Sequence, residues 1–201
     1  MAIASEVNEC NEILLTEMVI RGFFNDLGLV EIGCLLTIFI TEKDGIHLDV
    51  YQSGADQREI DTVSTVQCEL DTAIRSQTDI IYEHSKSPLQ IRECLQRVAA
   101  LIRELDPSEL NSNDHNDWSI HLDMMVPVFM WLSYDPDVTD YIDIYCGNFI
   151  KNMIKLCHLG ETVSKMANRI EDYLLVRKLA DLEQIVMRGV VTVNSLYVNN
   201  I

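Results

Sequence analysis

Apolar residues recur along this chain mainly every three or four positions, with few alternating runs, and that rhythm predicts helices. The first falls at Asn11 to Arg21 (N-E-I-L-L-T-E-M-V-I-R), with Asn11 placed to cap its start and Gly22 to stop it. Leu29, Ile32, Leu35, Leu36 and Phe39 keep step in a second helix, Leu29 to Ile40. It is apolar on most sides and therefore expected to be buried. Glu42 to Gly54 reads as a loop, with a short extended piece at Ile46 to Tyr51. A long helix follows from about Arg58 to Ser85, its seam formed by Ile60, Val63, Gln67, Leu70, Ile74, Gln77 and Ile81. Ser87-Pro88 breaks it, and a partner helix from Leu89 to Leu105 carries Ile91, Leu95, Val98, Ile102 and Leu105.

The second half is predicted as shorter helices separated by polar turns. Residues 106–118 form a polar loop after Asp106-Pro107, and Ile120 to Trp131 is a helix kinked or started near Pro127. Tyr134-Asp135-Pro136 is a turn. Helices are then expected at Val138 to Tyr145, Asn148 to Leu159, Glu161 to Leu174 and Arg177 to Arg188, with a last apolar segment from Val190 to Val198. The expected fold is all-α: a helical bundle with one long antiparallel helical hairpin at about 58–105. Residues 1–10 form a connecting segment and 11–201 one domain.

Composition supports a packed helical protein, since hydrophobic residues make up 48% of the 201 positions and there are only four prolines and eight glycines. The longest apolar run, Ile32 to Ile40, is far below the roughly 18 residues of a membrane span, so no membrane association is expected. Glu6, Glu9 and Glu12 stand where a targeting peptide would be basic, so none is expected. Six cysteines (Cys10, Cys34, Cys68, Cys94, Cys146, Cys157) form no C-x-x-C pair, which predicts an intracellular, reducing setting without disulfides or a zinc site.

The formal net charge of −17 argues against a general nucleic-acid binder, but its distribution is uneven. Ten acids and no lysine or arginine lie between Glu104 and Asp143, whereas seven bases face five acids between Gly147 and Arg188. No Gly-Lys dipeptide exists for a phosphate-binding loop and no Asp-Glu dipeptide for the acidic motif of a helicase motor. There is no G-x-S-x-G elbow and no H-E-x-x-H pair, so no catalytic residue is assigned. Asp114-His115-Asn116-Asp117 with His121 and Asp123 offers metal-ligand chemistry without ligand spacing and reads as a solvated loop. Asp135/Asp137 and Asp140/Asp143 read as helix-start charges rather than as an Mg²⁺ or acid–base pair.

The helix after Gly147 differs. Phe149, Ile150, Met153, Ile154 and Cys157 are expected on an apolar face, and Lys151, Lys155 and His158 fall on another, flanked by Asn148 and Asn152. Lysines one turn apart can each meet a phosphate, and asparagine can reach a base edge or ribose. The same pattern also describes an ordinary solvated helix face.

Four segments carry a family resemblance. N-E-I-L-L-T-E-M-V-I-R-G-F-F-N-D-L with C-L-L-T-I-F-I-T-E-K-D at Asn11 to Asp44, M-V-P-V-F-M-W at Met125 to Trp131, D-I-Y-C-G-N-F-I-K at Asp143 to Lys151, and the closing M-R-G-V-V-T-V-N-S-L-Y-V follow in order along the chain. Together they resemble the C-terminal (DSHCT) domain of exosome-associated DExH-box RNA helicases, the superkiller and mRNA-transport group. The resemblance implies a helical bundle that packs on the helicase motor and helps guide single-stranded RNA, with no catalysis of its own. By position it assigns RNA contact to Lys151, Lys155 and His158, with Lys151 and Lys155 in basic positions and His158 where the family has an acid; Asn148 and Asn152, by their own chemistry, complete the expected RNA-contact set. It implies as partners RNA held weakly by this chain alone, motor domains in cis or trans, and exosome cofactor proteins. ATP and Mg²⁺ would belong to motor domains absent here, leaving this chain no cofactor. Cys146, Gly189 and Pro127 depart from the family pattern. An acidic helical adaptor without a nucleic-acid role is the alternative.

Overall fold

The computed structural model describes residues 12–40, 59–85, 90–105, 121–134 and 147–188, with backbone alone for 59–69 and 147–148. Every regular element among the described residues is helical: α1 (Glu12–Ile20), α2 (Leu29–Leu36) with a 3-10 turn at Thr37–Phe39, α3 (Glu59–His84), α4 (Ile91–Glu104), α5 (Met125–Ser133), α6 (Gly147–Arg169), α7 (Tyr173–Leu179) and α8 (Leu182–Met187). The all-α expectation is met. The Asn11 cap, the loops at 42–54 and 106–118, the Ser87-Pro88 break, the Asp135-Pro136 turn, the helix at 138–145 and the segment 190–198 lie outside the described residues.

Gly22 ends α1 as its position suggests. It adopts φ 67°, its amide bonds to the Val19 carbonyl at 3.1 Å, and the Phe23 amide bonds to Met18 at 3.0 Å. These two bonds form a Schellman closure, sealed by the burial of Met18 and Phe23. Arg21 then joins the end of α1 to the end of α4, donating to both carboxylate oxygens of Glu104 at 2.7 and 3.1 Å and to Glu17 at 2.9 Å. The Arg21 hydrogen bond holds the Glu104 carboxyl below the usual carboxylate range.

The entry of α2 contains a buried acid. Glu31 is only 8% exposed, yet both its oxygens accept backbone N–H groups: Gly28 at 2.9 Å and Gln90 at 2.6 Å. One carboxylate thereby serves the amino ends of α2 and α4, where negative charge is favoured. Next to it α2 buries Ile32, Gly33, Cys34, Leu35 and Leu36, as its apolar circumference predicts.

The expected long hairpin is only partly visible. α3 and α4 touch where Arg92 donates to the Thr78 hydroxyl at 2.8 Å and pairs with Asp79, its guanidinium 4.7 Å from the centre of the Tyr82 ring. Their legs are unequal, however, at 26 and 14 residues. α4 also packs on α1 and α2, and α3 on α5, so both helices also take part in the bundle.

Pro127 is accommodated because α5 begins at Met125, which places the proline in the first turn. The first intrahelical bond there runs from the Val128 amide to Met124 at 3.0 Å, so the missing proline N–H removes none. Met125 to Met130 are all buried, and α5 packs on α2, α3 and α8. The other side of the bundle is α6, which contacts α1, α2, α7 and α8.

Candidate nucleic-acid interface

α6 runs unbroken through 23 residues, where two helices separated at Gly160 were expected. The reason lies in its packed face. Phe149, Met153, Leu156, Val163 and Ala167 are buried at alternating steps of four and three, and Gly160 occupies the one remaining place in that series. A Cβ at Gly160 would lie 2.4 Å from Leu182 Cδ2. Glycine here permits close approach of α8 and does not stop the helix.

The start of α6 is fixed by an aromatic joint. Trp131 of α5 meets Phe149 edge to face at 5.4 Å, and its indole N–H donates to the Val186 carbonyl of α8 at 2.9 Å. Arg188, just beyond α8, lies over the Tyr134 ring at the end of α5. Three segments far apart in sequence, those holding Trp131, Phe149 and Val186, thus converge on one point.

This frame sets the side chains of the predicted stripe. Lys151 and His158 are exposed and Lys155 is half-buried, all on the side of α6 away from its packed series. Asn152 is not with them: it is 4% exposed, and its amide nitrogen donates to Met124 Sδ at 3.7 Å. Its position a little over a quarter-turn from Lys151 carries it into the bundle, where it braces α6 against the entry to α5. The side chain of Asn148 lies outside the described residues. Ile154, expected on the apolar face, is 40% exposed and stands beside Lys151 and His158.

Continuity of α6 also adds residues that sequence reading missed. Positions 151, 155, 158, 165 and 169 differ by four, three, seven and four, so Lys165 and Arg169 continue the line of Lys151, Lys155 and His158. Both are exposed. The signal was present as spacing, but a break at Gly160 would have thrown the two groups out of register. Within this line Lys165 pairs with Glu161 at 2.8 Å, which holds that carboxyl below its usual range through the lysine hydrogen bond and charge. The Thr162 hydroxyl donates back to the His158 carbonyl at 2.9 Å.

Among the described residues the remaining chemistry offers no metal centre. No group of three His, Cys, Asp or Glu residues suited to a metal ion occurs among the described residues. Cys34, Cys94 and Cys157 are free, and burial pushes each thiol upward, Cys94 to about 12 and Cys157 to about 11. These are neutral packing groups rather than nucleophiles. No described helix is long and apolar enough to cross a membrane.

The proteins named Exosome RNA helicase MTR4 of Homo sapiens and Mus musculus are each 24% identical to the chain over 198 residues, covering 97% of it. The chain spans 16% of the length of these relatives. No solved structure matches it. The family model for the DSHCT (NUC185) domain matches residues 2–194. The chain belongs to the DSHCT (NUC185) domain family.

Proposed function

We propose that this chain is the accessory helical domain of an exosome-associated RNA helicase and that α6 guides single-stranded RNA past its Lys151, Lys155 and His158 face. The supporting observation is a line of cationic and imidazole side chains on the outer side of one rigid helix, in a chain whose formal charge is −17. Lysines at this spacing meet successive phosphates as point charges, without reading sequence. The exposed Ile154 between them supplies an apolar surface for a base or ribose. In this reading ATP and Mg²⁺ are bound by motor domains supplied in cis or trans, and exosome cofactor proteins are the wider partners. The buried thiols of Cys34 and Cys94 suit a reducing compartment.

The test is salt-dependent RNA binding. For single strands the logarithm of affinity falls with that of salt by about 0.7 per neutralised phosphate, so Lys151→Ala with Lys155→Ala should weaken binding and flatten the slope by about 1.4. An unchanged slope and affinity would remove the two lysines from the site. The acidic balance favours a second reading, an adaptor that binds a basic protein. It requires capture of a basic partner and no crosslinking of α6 to RNA.

A further inference from the structure

We infer that the RNA path continues beyond His158 along the full length of α6, with Lys165 and Arg169 forming its far end. This rests on the proposed RNA-guiding role of Lys151, Lys155 and His158. Because α6 is a single helix, the five side chains share one face. At about 1.5 Å rise per residue, Lys151 and Arg169 stand roughly 27 Å apart along the axis, a span that accepts several nucleotides of an extended strand. Both distal residues are exposed. The Lys165–Glu161 contact, at 2.8 Å, is an exposed one-turn pair with both side chains more than half accessible. Such pairs contribute little and yield readily to a phosphate. Thr162, between the two groups, donates its hydroxyl proton to the His158 carbonyl and leaves its oxygen on the same line to accept from a ribose hydroxyl. The turn after Arg169 leads directly to an exposed aromatic ring, Tyr173, of the kind on which bases stack. Basic and polar side chains therefore recur on this face from the second turn of α6 to its last.

The experiment compares oligouridylates of two lengths by fluorescence anisotropy at low salt, using the full 201-residue chain. The short one spans only Lys151 to His158, and the long one spans all of α6. Wild type should bind the long RNA several-fold more tightly and with the steeper salt slope. Lys165→Gln with Arg169→Gln, which keeps both helix-forming stems, should bind the short RNA as wild type does and lose the gain on the long one, its slope flatter by about 1.4. Circular dichroism should show unchanged helix content. Wild-type behaviour of this variant on both lengths overturns the extension while leaving the proximal site in place. An equal loss on both lengths overturns it as well, because that marks a diffuse field and not a path. If Lys151→Ala with Lys155→Ala leaves both lengths unaffected, the proximal reading fails and the extension fails with it.

Discussion

Glu171 holds one of two left-handed non-glycine positions among the described residues, the other being Tyr134. Glu171 has φ 63°, the left-handed region that disfavours side chains with a Cβ. Its amide closes on Asn168 at 3.4 Å while the Asp172 amide reaches Ala167 at 2.9 Å. Asp172 in turn caps α7 by accepting the Leu175 amide at 3.0 Å, so one residue ends α6 and begins α7. A carboxylate at a helix C-terminus also opposes the helix dipole. Glu171→Gly should therefore stabilise the fold by about 0.5–1 kcal/mol, read as a higher urea midpoint; a lower midpoint would show that the glutamate side chain contributes an interaction larger than its strain. The thiols give a pH prediction of definite sign. Cys34 and Cys94 ionise near 9 when unfolded, and burial raises both. The unfolded chain thus releases protons first, and stability present below pH 9 should fall as pH rises from about 9 towards 12. Replacing Cys94 with alanine should flatten that alkaline decline in a denaturation series. Such residue roles were only partly legible. Gly22 announced its turn through local chemistry, whereas nothing local marks Glu31 as a buried acceptor, because its second donor, the Gln90 amide, is 59 residues away.

At the scale of elements, periodicity placed most helices within a few residues, since burial of one face is a local pattern. It failed where a glycine has two meanings. Gly160 is compatible both with a helix end and with a close crossing, and only the position of Leu182 distinguishes them. The consequence reached the site, because ending α6 at Leu159 hid Lys165 and Arg169. The opposite error occurred further on, where Arg177 to Arg188 was expected as one helix and divides into α7 and α8 around Ala180 and Asp181. Lys178 had no visible partner in the sequence, yet its ammonium bonds to the Asn25 carbonyl and, at 3.0 Å, to that of Leu27, tying α7 to the turn before α2. Gly160→Val should cost about 1–3 kcal/mol by overpacking the α6–α8 crossing. Thermal melting followed by circular dichroism measures it, and a variant as stable as wild type would mean that Leu182 moves aside freely.

For the whole molecule, charge and cohesion pull in different directions. A chain of −17 repels itself, and salt screens that repulsion over a Debye length of about 10 Å at 0.1 M. The melting temperature should therefore rise from low to moderate salt, while RNA affinity falls over the same range. A falling melting temperature would mean that ion pairs such as Arg21–Glu104 outweigh the net repulsion. The all-helical architecture was legible as a whole, and the four ordered segments pointed to the right family, because both depend on patterns distributed along the chain. What the sequence withheld was how those segments meet. At their meeting point Trp131 ties Val186 to Phe149, and this gives the molecule an internal optical gauge. The chain has two tryptophans, so Trp118→Phe leaves Trp131 as the sole indole emitter. Its wavelength and quenching then report directly whether the three helices remain seated while the outer face of α6 is occupied.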